Sequence, residues 1–356
     1  ETDWSVKVLN MTERNTKCTL YFESRYNEEL LNETDPVLKE PLIPVIIETD
    51  GTVKKADIGS EWYSYEKKNW ANAVILFDES KDYLAGEVIP ESEIESYFVW
   101  IPKYRYQLWD LGQYDSLTSV DESKVHEIPI LFGDYDTSDS KDGECTTPME
   151  SGSSGNCAVG DYMTHPAFLS IPSTGFWVGK FKASIQEENI QFKPNEVMWT
   201  GMTLGNAFKQ SYEYQRRLDS HLTKNTEWGA ITYLTNSKFG INQIIQLNTN
   251  TEKRTGYAAN SDDGIIPSEE SSPYNTEIGY TSSSSGNITG VYDLSGGVAE
   301  FVMGINYDRS GLESREDLRE IYNIEDVYPD FYENSNFTKY YDLYYGESLQ
   351  SFSKRY

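Results

Sequence analysis

The sequence predicts an α+β chain in which β-rich modules precede a mixed domain of strands and two helices. Three observations carry this. Short runs of β-branched and aromatic residues are punctuated by turn residues through the first hundred positions. Two later stretches repeat apolar residues at helical spacing. Residues 291–303 then form a compact, apolar, glycine-marked block.

Taken in order, residues 1–35 read as a small β-module. Trp4-Ser5-Val6-Lys7-Val8-Leu9 alternates, and Cys18-Thr19-Leu20-Tyr21-Phe22 follows a polar turn. The opening Glu1-Thr2-Asp3-Trp4 has no initiator Met, so an export or anchoring segment is expected to have been removed, or the sequence begins inside a longer protein. Residues 36–95 read as a second β-rich module. Residues 41–47 form a strand, Thr49-Asp50-Gly51-Thr52 a hairpin turn, and residues 53–56 return. Two aromatic strands joined by a charged turn would then bring Trp62, Tyr63, Tyr65 and Trp70 together. Such a group is either an exposed binding strip or cross-strand packing.

Residues 96–356 read as one further domain whose C-terminal end is incomplete. Strong strands are expected over 98–106 and 175–184, and a surface loop over 134–161. Thr203 is a candidate N-cap for a helix carrying Leu204, Ala207, Phe208 and Ser211 on one face. A second helix starts near Thr223 or Asn225, buries Trp228, Ile231 and Thr235, and stops before Gly240. Residues 259–289 return to a Ser/Asp/Gly loop, and 313–322 form a short helix.

Composition narrows the function classes. The 27 Tyr, 14 Phe and 8 Trp among 356 residues mark a folding chain, since disordered sequences are poor in aromatics. The tyrosines suit either a recognition surface or a Tyr-rich core. A formal charge of −28, from 58 acidic and 30 basic residues, repels phosphate backbones and anionic membrane surfaces. No nucleic-acid partner and no membrane insertion are therefore expected. The carboxylate surplus suits calcium or serves plain solubility. Cys145 and Cys157 flank a turn-rich loop; a disulfide there would contribute roughly 3 kcal/mol and place the chain in an oxidising compartment. The alternative is two independent thiols. Cys18 reads as buried and inert.

Three blocks carry a family resemblance. Trp177-Val178-Gly179-Lys180-Phe181 is similar to the opening strand of formylglycine-generating-enzyme (sulfatase-modifying factor) domains. Residues 222–230, Leu-Thr-Lys-Asn-Thr-Glu-Trp-Gly-Ala, resemble that family's Leu-Pro-Thr-Glu-x-Glu-Trp-Glu-x-Ala helix signature. Residues 290–302 resemble its Gly-Leu-Tyr-Asp-Met-x-Gly-Asn-Val-Trp-Glu-Trp-Val block, departing at Gly297 and Ala299. The resemblance implies a C-type-lectin-like fold. It also implies a calcium ion held by Asp293, the Gly296 and Val298 carbonyls and Glu300; the other reading of those residues is a structural turn hydrogen-bonded to backbone. Segments around 62–74, 98–104 and 224–230 further resemble surface proteins of gut Firmicutes, many with a pilin-like leader.

The family's enzymes carry a cysteine pair after the last block, and this chain has no cysteine beyond Cys157. No catalytic residue is assigned. His126, His165 and His221 are scattered; His165 reads as structural, and His221 as favoured by a helix C-terminus. The expectation is an extracellular or cell-surface, adhesin-like binding protein of a bacterium, whose partner is a glycan or a surface protein. The alternatives are an oxidase-type enzyme of the same family and a structural subunit of a pilus or phage tail fibre.

Overall fold

The computed structural model describes residues 34–106, 127–133, 162–168, 173–186, 189–243, 253–255, 257–258, 272–306 and 340–344. The chain divides after Leu31, and everything described belongs to the second unit, Asn32–Tyr356. Nearly all of the expected 1–35 module lies outside the described residues. So do Cys18, His126, the Cys145 to Cys157 loop and residues 313–322.

Five strands open the described chain: β1 (Ile43–Ile47), β2 (Val53–Lys55), β3 (Asn72–Leu76), β4 (Val88–Ile89) and β5 (Ile94–Pro102). The β1–β2 hairpin turns where expected. Gly51 takes φ +90°, and the Thr52 N–H donates to Asp50 Oδ1 at 2.8 Å. Its register pairs Val45 with Lys55 and Ile47 with Val53. The strand expected over 98–106 is two strands. β5 ends at Pro102, and β6 (Tyr104–Tyr106) belongs to a separate sheet with β7 (Ile130–Phe132) and β8 (Met163–Thr164). β9 (Gly175–Gly179) then pairs with β5, setting Trp100 opposite Trp177.

The result is one antiparallel sheet of order β4-β2-β1-β3-β5-β9. The module boundary expected at residue 95 falls inside β5, which pairs with β3 on one side and β9 on the other. Residues 36–95 are thus four strands of a shared sheet rather than a module of their own. A two-strand hairpin is marginal alone, and here its neighbours complete it.

The strand expected over 175–184 also breaks. After Gly179 the chain turns Lys180 and Phe181 inward, and β10 (Ser184–Gln186) opens a second sheet with β11 (Asn189–Gln191) and β12 (Val197–Met198). Helix α1 (Leu204–Tyr214) follows Thr203, whose side chain accepts the Asn206 N–H at 3.3 Å. Helix α2 (Asn225–Thr235) buries Ile231, Leu234 and Thr235, while Trp228 stays half-buried. Three short strands follow, β13 (Lys253–Arg254), β14 (Tyr257–Ala258) and β15 (Ser272–Pro273). β14 runs parallel to β12, and β13 to β15. One helical turn, α3 (Glu277–Tyr280), precedes the parallel pair β16 (Gly304–Asn306) and β17 (Asp342–Tyr344). Sheets and helices in these proportions are an α+β architecture.

The aromatic group does assemble. Trp62 and Tyr63 lie 4.9 Å apart, and Tyr65 and Trp70 5.8 Å. Trp62, Tyr65 and Trp70 are buried, so core packing is the outcome. Their polar tips are satisfied: the Trp70 indole donates to Phe239 O at 2.8 Å, and the Tyr65 hydroxyl to Trp100 O at 2.6 Å. Each such ring contributes roughly 1.5–3 kcal/mol by burial.

The serine run lies in a loop, as expected, and that loop is interior. Ser282, Ser283 and Ser284 are fully buried. The Ser284 N–H and hydroxyl both donate to Val291 O, at 2.8 and 3.0 Å. Small hydroxylated side chains let the 282–285 and 290–293 segments approach closely; Ser284 satisfies its hydroxyl, whereas that of Ser282 is buried without a hydrogen-bond partner among the described residues. Gly290 is part of this, since a Cβ there would lie 2.4 Å from Ser285 N.

Candidate functional site

Two polar groups meet at the N-terminal end of α2. The first begins with the helix itself. Glu227 is the third helical residue, and its Oε2 accepts the Lys224 N–H at 2.8 Å, the returning arm of a capping box. The forward arm needs an acceptor at the N-cap, and a lysine side chain has none. Asp342, on β17, supplies it. Its Oδ2 accepts the Thr226 N–H at 2.7 Å, and Oδ1 accepts the Thr226 hydroxyl at 3.0 Å. A carboxylate at this position also faces the positive end of the helix dipole.

Around that cap, His221 Nε2 lies 3.0 Å from Glu227 Oε1, and Nδ1 lies 3.2 Å from Asp219 O. Both ring nitrogens thus face acceptors, which is the arrangement of an imidazolium. Burial alone would lower the His221 pKa, but the Glu227 carboxylate outweighs it and holds the ring above its ordinary value. Burial alone would raise Glu227; the charges of His221 and Lys224 draw it down to about 2. Asp342 is pushed up to about 6 by burial, against the pull of Lys224 and the Thr226 N–H. The helix C-terminus expected to favour His221 is one of its partners, through the carbonyl of Asp219, which caps the short helix Arg216–Leu218, and Glu227 is the charged one. The Tyr340 hydroxyl closes the group by donating to Asp219 Oδ1 at 2.8 Å.

The second group is the 290–302 block. Asp293 is fully buried with φ +61°, and Gly296 and Gly297 follow at +97° and +72°. Consecutive left-handed positions fold the segment into a tight turn. Asp293 Oδ1 accepts the Thr255 hydroxyl at 2.7 Å. Glu300 Oε1 lies 2.7 Å from Lys182 Nζ, and Oε2 accepts the Trp228 indole N–H at 2.8 Å. Lys182 Nζ also donates to Val298 O at 3.4 Å. Glu300 is therefore held by two side chains, Lys182 and Trp228, and Asp293 Oδ1 by the Thr255 hydroxyl. Of the four expected ligands, Val298 and Glu300 are gathered by one ammonium, Asp293 is engaged by Thr255, and Gly296 supplies turn geometry.

The oxygens that would bind calcium at Val298 and Glu300 already face that ammonium. A divalent ion about 4 Å from Lys182 would be repelled by roughly 8 kcal/mol at an effective dielectric near 20. With Lys182 seated, the donor set does not fit calcium. Among the described residues no group of three or more His, Cys, Asp and Glu side chains is placed to hold a metal.

Lys180 and His165 are interior. Lys180 Nζ donates to Asn72 Oδ1 and Gly290 O, both at 2.9 Å, and burial holds its pKa well below the lysine range. His165 packs among Tyr104, Tyr106, Phe168 and Tyr233, and burial lowers it to about 3. Its reading as structural agrees with this surrounding. Among the described residues no helix is long and apolar enough to cross a membrane. Comparison with protein-family models, with curated proteins and with solved structures gives no match.

Proposed function

We propose that the chain is an exported, surface-displayed binding protein built on a non-catalytic C-type-lectin-like domain of the formylglycine-generating-enzyme type. Its ligand is a glycan or a surface protein. The observation that carries this reading is the composition of the face that the turn shares with α2. Trp228 is half-buried with its indole fixed on Glu300, and Glu300 and Phe301 beside it are exposed. A rigid aromatic plate next to a charged hydrogen-bonding group is the pairing that recognition surfaces use. The buried histidines and lysines support the same reading. They are turned into the protein and held by neighbouring groups, in positions that favour holding a shape over meeting a substrate.

The test is a glycan array run in parallel with a screen of purified surface proteins, using the parent chain and the variants Trp228→Ala and Phe301→Ser. Saturable binding that drops at least tenfold in both variants supports the proposal. Saturable binding that neither variant weakens moves the ligand site elsewhere. Clean negatives on both screens with folded protein reject it.

A further inference from the structure

We propose that the Lys182 ammonium is the built-in cation of the 293–300 turn, taking the role of a bound divalent ion, so that the turn forms without calcium. Lys182 lies between β9 and β10, and its side chain is 7 % exposed. It delivers one positive charge to the Glu300 carboxylate and the Val298 carbonyl, at 2.7 and 3.4 Å. Those are hard oxygens of the kind calcium collects. The other Glu300 oxygen faces the Trp228 N–H, a donor that can only compete with a metal for it.

The approach path is built for the lysine. A Cβ on Gly297 would lie 2.9 Å from Met198 Cε and 3.9 Å from Lys182 Cε. With glycine at that position, the thioether and the lysine stem pack directly on the turn's backbone. The aliphatic stem is buried while the ammonium reaches the oxygens, which is how lysine side chains bridge apolar and polar surroundings. The consequence is a turn whose cation cannot be removed by chelation or dilution. This inference stands apart from the ligand reading, since a failed binding screen leaves it untouched.

The experiment uses the whole chain. Unfolding midpoints are measured in millimolar calcium and in chelator. Cation binding is followed by terbium luminescence, for which Trp228 is the nearby antenna. The parent is expected to unfold at the same midpoint in both conditions and to give no terbium signal. Lys182→Met is expected to lose stability in chelator and to recover it in calcium with a saturable terbium signal, and adding Glu300→Gln is expected to abolish the recovery. Lys182→Arg keeps the charge and is expected to stay indifferent to calcium. A parent midpoint that rises in calcium together with a terbium signal overturns the proposal. So does a Lys182→Met protein as stable in chelator as the parent. Should Lys182→Met fail to fold in either condition, the parent and Lys182→Arg decide, and a calcium response in either one overturns it.

Discussion

Replacing Asp342 by alanine tests whether β17 caps α2 from across the chain. The substitution removes two hydrogen bonds to Thr226, which is fully buried, and leaves an amide and a hydroxyl without acceptors. Loss of a helix cap costs about 1 kcal/mol, and stranded buried donors raise this to about 3 kcal/mol. Against that, the ionised carboxylate is itself costly to bury, as its rise to about 6 shows. The two effects separate with pH. A group whose folded pKa is raised stabilises fully below its unfolded pKa, 3.8 here, and loses that contribution as pH rises through about 6. Between pH 7.5 and 4.5 this amounts to roughly 2 kcal/mol. Asp342→Ala is therefore expected to destabilise by roughly 1–3 kcal/mol at pH 7.5 and by roughly 2 kcal/mol more at pH 4.5. Removing an acid would thus hurt most in acid. Denaturant titration at both pH values reads the effect, and hydrogen exchange at the Thr226 amide localises it. A cost below about 0.5 kcal/mol at both pH values refutes the capping assignment, and a cost that shrinks on acidification refutes the raised pKa of Asp342 instead.

The two described histidines should bend the pH profile in opposite senses. His221 has a raised folded pKa, so its stabilisation is full below 6.5 and fades as pH rises through the higher value; His221→Gln should flatten the limb of melting midpoints above pH 6.5. His165 is lowered to about 3, so its contribution is present above 6.5 and is lost as pH falls toward 3; His165→Phe should melt less steeply in acid than the parent. Gly290→Ala should cost about 3 kcal/mol by denaturant titration, because its Cβ would meet the Ser285 backbone at 2.4 Å and the Ser283 hydroxyl at 2.5 Å.

Much of the local structure was legible because local chemistry decides it. Thr203 offers the acceptor a helix start needs, and Gly51 supplies the positive φ a hairpin needs. The module boundary was not legible. Nothing in β1 to β4 announces that β5 and β9 complete their sheet, because pairing partners are set by tertiary packing. The serine run was legible as a loop but not as a buried one: serine favours loops, and it is also small enough for two buried segments to touch. The cap on α2 was half legible. Glu227 at the third helical position signals a capping box, and Lys224, where the resembling signature has threonine, signals that the other half is missing. Only the fold reveals that Asp342, more than a hundred residues later, supplies it. Lys182 carried no motif of its own, and its role emerges from the carboxylate it meets.

Lys180, Lys182 and Lys224 then divide by what they face. Lys180 has neutral oxygens from Asn72 and Gly290, and its pKa falls well below the lysine range. Lys182 has the Glu300 carboxylate, and Lys224 has Glu227 with Nζ 3.7 Å from Oε1. A buried ammonium beside amide oxygens, as at Lys180, is driven toward the neutral amine. All three sit where sequence-distant segments converge: Lys180 joins β3 and the 290–293 segment to the end of β9, Lys182 joins the glycine turn to the start of β10, and Lys224 joins the start of α2 to Met303. In a chain with nearly twice as many acidic as basic residues, a lysine placed inside is withdrawn from neutralising the surface. The turn that Lys182 holds also presents Glu300 and Phe301, beside Trp228 of α2. The rigidity of the proposed ligand face therefore depends on an interior charge.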